Sequence, residues 1–133
     1  MITTTVIDNE YVTLMVHPDE RIVHHQLHQP MSGEVLRSML LAGVEQLRQH
    51  AADKWLSDNR NYGALPDEDM QWSMTTWFPQ AREAGWRCWA LVVPPDILGR
   101  MNLSTFVFNY AQQGVTVQVF TDPDEALTWL EAA

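Results

Sequence analysis

The spacing of apolar residues predicts alternating strands and helices, beginning with a hairpin. Two runs rich in β-branched and aromatic residues, Tyr11 to Val16 and Ile22 to Leu27, flank a turn-forming HPDER segment. If His17 pairs with Ile22, one face of the hairpin is the core face. Its members alternate along both strands: Val12, Leu14, Val16, Val23, His25 and Leu27. His25 is then a core histidine that requires a polar partner.

A helix is predicted from Ser32, its N-cap, to about His50. Apolar residues recur at helical spacing and should form its buried stripe: Val35, Leu36, Met39, Leu40, Gly43 and Leu47. Because glycine disfavours a helix interior, Gly43 indicates a close approach of this helix to the sheet.

The rest of the chain repeats a strand followed by a helix. The predicted strands are 54–57, 87–93 and 115–120, and the helices are 66–85, about 103–113 and 122–130, with a short helical piece at 96–100. In the helix 66–85, Met70, Met74, Trp77 and Ala81 should lie on one side, and Pro79 should kink or split it. The order ββαβαβαβα predicts an α/β fold with a mostly parallel sheet and one antiparallel strand.

Composition limits the class of protein. The 133 residues fit one domain, 1–133, and 46% apolar with 19% charged residues is typical of a globular chain. No apolar run is long enough for membrane insertion. A net charge of −9 disfavours nucleic acid as a partner. The first ten residues lack the pattern of a secretory signal and Cys88 is the single cysteine, so a cytoplasmic location is expected.

Four segments carry a family resemblance: WLSDNR, PDEDMQWSMTTWFPQAREAG, WALVVPPDILGRM and GVTVQVFTDPDEALTWL. Through them the chain, from about Asp19 to Leu130, resembles the SpoIIAA-like or STAS-fold group, specifically small bacterial proteins with a STAS/SEC14-type domain. The resemblance implies a SpoIIAA-like α/β domain. That fold serves in different settings as an anti-sigma-factor antagonist, a regulatory domain of transporters, or a lipid or nucleotide binder.

The chain departs from the phosphorylated antagonists at one place. They carry a Ser or Thr just after the strand that is predicted to end here near Ser57. This chain has DNRNYGAL there, in which Tyr62 supplies the only hydroxyl. The departure argues against a phosphorylation switch.

The polar loop after this strand is the predicted site, because ligands gather outside the carboxyl ends of strands in open α/β sheets. Asp58, Arg60 and Asn61 would supply polar contacts there, with Tyr62 and Trp72 as aromatic walls. Asp58 and Arg60 could instead form a structural ion pair. Trp72 lies off the apolar stripe of its helix, as does Phe108, whereas four other tryptophans are predicted core residues: Trp55, Trp77, Trp89 and Trp129.

The sequence favours binding over catalysis. It contains no phosphate-binding loop and no GxSxG elbow, and Cys88, in an apolar strand, should have a raised pKa. His24 and His28 are too far apart on one strand to share an ion, so neither a metal nor a cofactor is predicted. A third possibility is an enzyme that uses Asp58 as a base, although no nucleophile or cofactor motif stands beside that residue.

Two functions from different classes are left open. One is a non-enzymatic regulatory domain that binds a protein partner, and the other is a SEC14-like binder of a lipid or a small apolar ligand. A polar but uncharged outer face on the hairpin also suits a homodimer. Its members are Thr13, Met15, His24 and Gln26.

Overall fold

The computed structural model describes residues 1–61 and 65–133 and contains one six-stranded sheet. Its strands follow the order of the chain, β1-β2-β3-β4-β5-β6. They are β1 (Thr4–Asp8), β2 (Val12–His17), β3 (Ile22–Leu27), β4 (Lys54–Asp58), β5 (Cys88–Val92) and β6 (Thr116–Phe120). The sheet confirms the α/β class and its mostly parallel character.

The hairpin register is the predicted one. β2 pairs antiparallel with β3, with His17 opposite Ile22 and Val16 opposite Val23. β3 through β6 pair in parallel, and β2 alone runs against the other strands. The alternating residues assigned to the core are all buried: Val12, Leu14, Val16, Val23, His25 and Leu27.

The strand β1 was absent from the predicted order ββαβαβαβα, which is wrong in this respect. β1 pairs antiparallel with β2 along the sheet edge, with Thr5 opposite Met15. Four of its five residues are exposed, so it has no buried face to generate an alternating hydrophobic pattern. β-branched content alone marks this strand in the sequence.

Helices lie on both faces of the sheet. They are α1 (Gly33–His50), α2 (Asp67–Trp72), α3 (Phe78–Glu83), α4 (Pro95–Arg100), α5 (Leu103–Gln112) and α6 (Pro123–Ala132), with a π-helical turn (Ser73–Trp77) joining α2 to α3. In the part of the chain that the structure describes, none of these helices combines the length and apolarity needed to cross a membrane.

Strand pairing assigns each side chain to a face. Val23, Trp55, Trp89 and Val117 are register neighbours on one face, which packs against α1 and the helix 67–83. Residues of the opposite face pack against α6, and they are Ile22, Leu56, Ala90 and Val92. We call these the tryptophan face and the α6 face. Because alternate residues point oppositely, Ser57 belongs to the tryptophan face and Asp58 to the α6 face.

α1 packs against the tryptophan face almost as predicted. Gly43 approaches so closely that a Cβ atom there would overlap the six-membered ring of Trp55, which confirms the predicted close approach. Val35 is 43% exposed, so its assignment to the buried stripe is wrong, and Val44 is buried instead. The hydroxyl of Ser32 makes no cap hydrogen bond; the Gly33 amide donates instead to the Asp69 carboxylate, 3.0 Å away.

The helix 67–83 departs furthest from its predicted pattern. Trp77 and Ala81 are buried as expected, but Met70 and Met74 are 46% and 62% exposed, so the predicted four-residue stripe is wrong. The π-helical turn explains the error, because i→i+5 hydrogen bonding puts the residues before and after it out of phase. The helix runs without a break from this turn into α3, whose second residue is Pro79, so the predicted split at that proline is wrong and the predicted kink stays a prediction.

Candidate functional site

A cavity of about 380 Å³ lies between the tryptophan face and the helices above it. Its base is formed by the C-terminal halves of β3, β4 and β5, and its walls come from α1, the helix 67–83 and the α4–α5 segment. This position fits the rule that ligands bind outside the carboxyl ends of parallel strands. The volume falls within the range of small-molecule sites.

The lining is almost entirely apolar, and no formally charged side chain contributes to it among the described residues. Aromatic residues dominate, namely Trp55, Trp77, Phe78, Trp86, Trp89, Phe106 and Tyr110. Aliphatic and sulfur-containing residues complete the walls, and these are Leu27, Leu36, Met39, Leu40, Leu65, Met70, Met74, Leu91, Val93, Pro94, Ile97 and Met101. Only His25, Ser57, Asn59 and Ser73 add further polar side chains.

The tryptophans form a connected aromatic cluster. Trp55 and Trp77 meet edge to face with centroids 5.3 Å apart, and Trp86 lies 5.1 Å from Trp77 and 5.5 Å from Trp89. The Trp77 indole donates to the Leu40 carbonyl and the Trp86 indole to the Cys88 carbonyl, at 2.9 and 3.1 Å. Edge-to-face contacts and fixed indole nitrogens give the cavity rigid aromatic walls.

His25, Ser57 and Asn59 form the polar floor of the cavity. The Trp55 indole donates to Nδ1 of His25 at 3.0 Å, and Nε2 of His25 lies 2.8 Å from Oδ1 of Asn59. These contacts are the polar partners that a core histidine requires. Burial lowers the pKa of His25 to about 4, against the smaller opposing effect of the Asn59 hydrogen bond, so the ring is neutral near pH 7.

Hydrogen bonds from and to β5 fix Ser57 and Asn59, the other two residues of the polar floor. The Trp89 indole donates to the Ser57 hydroxyl oxygen at 2.9 Å, and the Asn59 backbone amide donates to the Val92 carbonyl at 2.9 Å. The latter bond brings the exits of β4 and β5 together on one rim, as expected for neighbouring parallel strands. Tyr110 closes the far wall, and burial raises the pKa of its phenol.

Methionines flank the opening of the cavity. Met70 and Met74 line it while being 46% and 62% exposed, and the partly exposed Met101 faces it from the α4–α5 segment. Unbranched thioether side chains adapt to different ligand shapes. Met70 and Met74, which do not follow the predicted buried stripe, therefore lie at the entrance.

Asp58 and Arg60 form a bidentate ion pair on the α6 face. Nε and Nη2 of Arg60 each lie 2.9 Å from a carboxylate oxygen of Asp58. The Asp58 side chain is 4% exposed and that of Arg60 44%. Hydrogen bonding to Asp58 raises the pKa of Arg60, with smaller contributions from Asp122 and Asp124 at the start of α6. The Arg60 guanidinium is thus surrounded by carboxylates of this chain.

The other predicted site residues are not gathered around this ion pair. Asn61 donates from Nδ2 to the Leu27 carbonyl at 3.4 Å, and Tyr62 lies outside the described residues. Trp72 is half-buried against the core, with the Arg37 guanidinium 5.3 Å from its ring centroid. The cavity lining includes none of Asp58, Arg60, Asn61 and Trp72.

Two predicted site residues, Asp58 and Arg60, alternate along the chain with Ser57 and Asn59, which line the cavity. Ser57 and Asn59 share the alternation of His25, a pattern that was available once the strand was recognised as continuing to Asp58. Trp86 is 1% exposed and received no role, because it follows the helix-ending Gly85 and precedes the strand. Trp55 and Trp77 were correctly assigned to the core, and Trp89 and Trp129 are half-buried against it.

The arrangement can hold an apolar molecule and orient it by a few hydrogen bonds. The thiol of Cys88 lies on the α6 face, where burial raises its pKa as predicted.

Comparisons with protein-family models, with curated proteins and with solved structures found no match for this chain.

Proposed function

We propose that this protein binds a small apolar or amphipathic molecule in the cavity on the tryptophan face. This is the SEC14-like alternative within the SpoIIAA-like group that the sequence resembles. The observation that carries the proposal is the cavity itself, which is aromatic and uncharged and has three polar side chains, His25, Ser57 and Asn59, gathered at the strand ends. Such a distribution is typical of pockets that bury a ligand body and orient its polar end.

Occupancy can be measured with N-phenyl-1-naphthylamine, a neutral apolar probe whose emission rises in apolar surroundings. We expect saturable binding accompanied by energy transfer from the tryptophans of the wall. Ser73→Trp adds bulk to the cavity lining and should weaken binding at least several-fold. Thr76→Trp is the matched control, because Thr76 is exposed in the same π-helical turn and does not line the cavity.

Native mass spectrometry of the purified protein provides a second test. A copurifying apolar molecule that is released by solvent extraction would support the proposal. Linear, unsaturable probe binding that is equal in both tryptophan variants would overturn it.

A second candidate function is partner binding as a regulatory domain. It is favoured by α5, which has no buried residue and leaves Leu103, Val107 and Phe108 between 37% and 59% exposed. Exposed apolar patches are common at protein interfaces. A partner recovered by pull-down and lost with Phe108→Glu, while probe binding is unchanged, would support this function.

A further inference from the structure

Hydrogen bonds from two indoles fix the direction of every hydrogen bond in the polar floor. An indole N–H is a donor only, so the nitrogen Nδ1 of His25 that faces Trp55 carries a lone pair. In a neutral imidazole the other nitrogen then carries the hydrogen. Nε2 of His25 therefore donates to Asn59, and the atom of Asn59 that receives this bond is its amide oxygen.

What remains available on Asn59 is its amide nitrogen. Nδ2 has two hydrogens and no hydrogen-bond partner within residues 1–61 and 65–133. The same argument applies to Ser57, whose oxygen accepts from the Trp89 indole and whose hydroxyl hydrogen is left to donate. Ser57 and Asn59 line the cavity two residues apart on one face of the chain. The polar floor thus offers donors.

The rest of the lining restricts the charge of the occupant. No described lining residue is Asp, Glu, Lys or Arg; burial keeps the His25 ring neutral, and the Trp55 indole donates to its Nδ1. A carboxylate or ammonium group placed there would lose its hydration without gaining a counter-ion, which is strongly unfavourable. A neutral oxygen avoids this penalty and can satisfy the free donors.

We propose that the ligand is a neutral molecule whose apolar body lies among the tryptophans and whose acceptor oxygen, as in a ketone or ester, is bound by the Ser57 hydroxyl and the Asn59 amide. This inference rests on the proposed binding function and names its ligand class. It excludes fatty-acid anions and alkylamines as preferred ligands.

Four probes with similar apolar bodies test this selectivity: decane, methyl octyl ketone, decanoate and decylamine. Their affinities are measured near pH 7.5 by displacement of N-phenyl-1-naphthylamine and by tryptophan fluorescence. We expect the ketone to bind at least tenfold more tightly than decane once each affinity is divided by the probe's partition coefficient from water into hexadecane, because this correction removes the hydration cost of the carbonyl and leaves the contribution of the two donors. Decanoate and decylamine should bind more weakly than decane.

Variants separate the donors from the apolar walls. Ser57→Ala should reduce the preference for ketone over decane several-fold, because it removes the hydroxyl donor. Asn59→Asp keeps an oxygen for His25 but removes both N–H donors, so it should abolish the ketone preference and favour decylamine. Asn109→Asp makes the same chemical change at an exposed position of α5 and should alter none of the four affinities.

The outcomes distinguish a failure of this ligand assignment from a failure of the proposed binding function. Equal partition-corrected affinities for decane and ketone, or tightest binding of decanoate, would overturn the inference while leaving apolar ligand binding intact. Binding of none of the four probes would overturn the proposed function and the inference with it. A ketone preference unaffected by both Ser57→Ala and Asn59→Asp would show that other donors are responsible and would refute the assignment.

Discussion

Gly43 determines how closely α1 can pack against β4. Its missing side chain leaves room for the Trp55 ring, which in turn forms part of the cavity wall. Gly43→Ala should reduce the free energy of unfolding by about 1–3 kcal/mol, because an added methyl group must displace a packed indole. Urea unfolding followed by circular dichroism measures this change.

Gly99→Ala is the matched control for Gly43→Ala. Gly99 lies within α4, and a Cβ atom there would meet no other atom within 4 Å. The greater helix propensity of alanine should stabilise α4 by up to about 1 kcal/mol. Equal effects of the two substitutions would contradict the role assigned to Gly43.

The buried His25 should make stability depend on pH. Its pKa is about 4 in the folded protein and ordinarily 6.5, so between these values the unfolded chain binds a proton that the folded chain excludes. The free energy of unfolding should therefore fall as pH decreases through this range, with His25 accounting for about 2 kcal/mol by pH 5. Burial also lowers the pKa of His24 to about 4, which adds to the decline.

His25→Gln isolates this contribution. The variant is expected to be less stable than the unchanged protein near pH 7.5, and the difference should shrink by about 2 kcal/mol at pH 5, because only the unchanged protein carries this proton linkage. Val23→Ala, on the same strand, destabilises without changing a titratable group and should cost the same at both pH values. A stability difference for His25→Gln that is independent of pH would refute the prediction.

Individual residues were predictable where one local rule governed them. Alternation alone identified His25 as buried, and glycine within a helix identified the close approach at Gly43. Asp58 was misjudged as a loop residue because a carboxylate rarely occupies a buried strand position without a partner. That partner, Arg60, is two residues away, and its bidentate geometry is not a property of the sequence pattern.

At the scale of elements, Asp69 connects two helices that are distant in sequence. Its carboxylate accepts from the Gly33 amide at the start of α1 and from Nε of Arg37 at 3.1 Å, and its side chain is 4% exposed. In the sequence, Asp69 is one of three acids in the first turn of its own helix, a pattern that indicates nothing beyond a favourable helix-start charge. Its burial arises because the π-helical turn changes which side of α2 faces the core.

Asp69→Ala should destabilise the fold by about 2–4 kcal/mol, because it removes an N-terminal cap from α1 and leaves the partly buried guanidinium of Arg37 unpaired. Thermal and urea unfolding measure the loss. Asp67→Ala removes an exposed acid from the same turn and should cost about 1 kcal/mol at most. Similar losses for the two variants would show that Asp69 contributes only a general helix-start charge.

The ends of the strands and helices were more predictable than the side that the helix 67–83 buries. Strands β3 to β6 begin and end within about one residue of their predicted positions, because Pro, Gly and Asp mark their ends in the sequence. The helix 67–83 had correct limits but a wrong buried side. A π-helical turn leaves no compositional mark, so the 3.6-residue period was applied across a segment that does not keep it.

Considered as a whole, the molecule separates its two polar centres with the sheet. His25, Ser57 and Asn59 project to the tryptophan face, and the Asp58–Arg60 pair lies on the α6 face. The site predicted from sequence includes Asp58 and Arg60 at the end of β4, and the sheet separates this pair from the cavity. The homodimer stays a prediction. The hairpin face proposed for it is half-exposed, at Thr13, Met15, His24 and Gln26. Light scattering at micromolar concentration would measure the mass of the particle in solution.

This separation gives Arg60→Ala two distinct expected results. Stability should fall by about 1–3 kcal/mol, because Asp58 is buried and loses its charged partner, with solvent at the half-exposed guanidinium moderating the loss. Affinity for a neutral cavity probe should not change, since Arg60 lies across the sheet from the polar floor. Arg100→Ala is the control, because its pair with Asp96 is more than 70% exposed on both sides and should contribute about 0–1 kcal/mol. If Arg60→Ala instead weakened probe binding in the fully folded protein, the site would extend around the rim to the α6 face, as the sequence alone suggested.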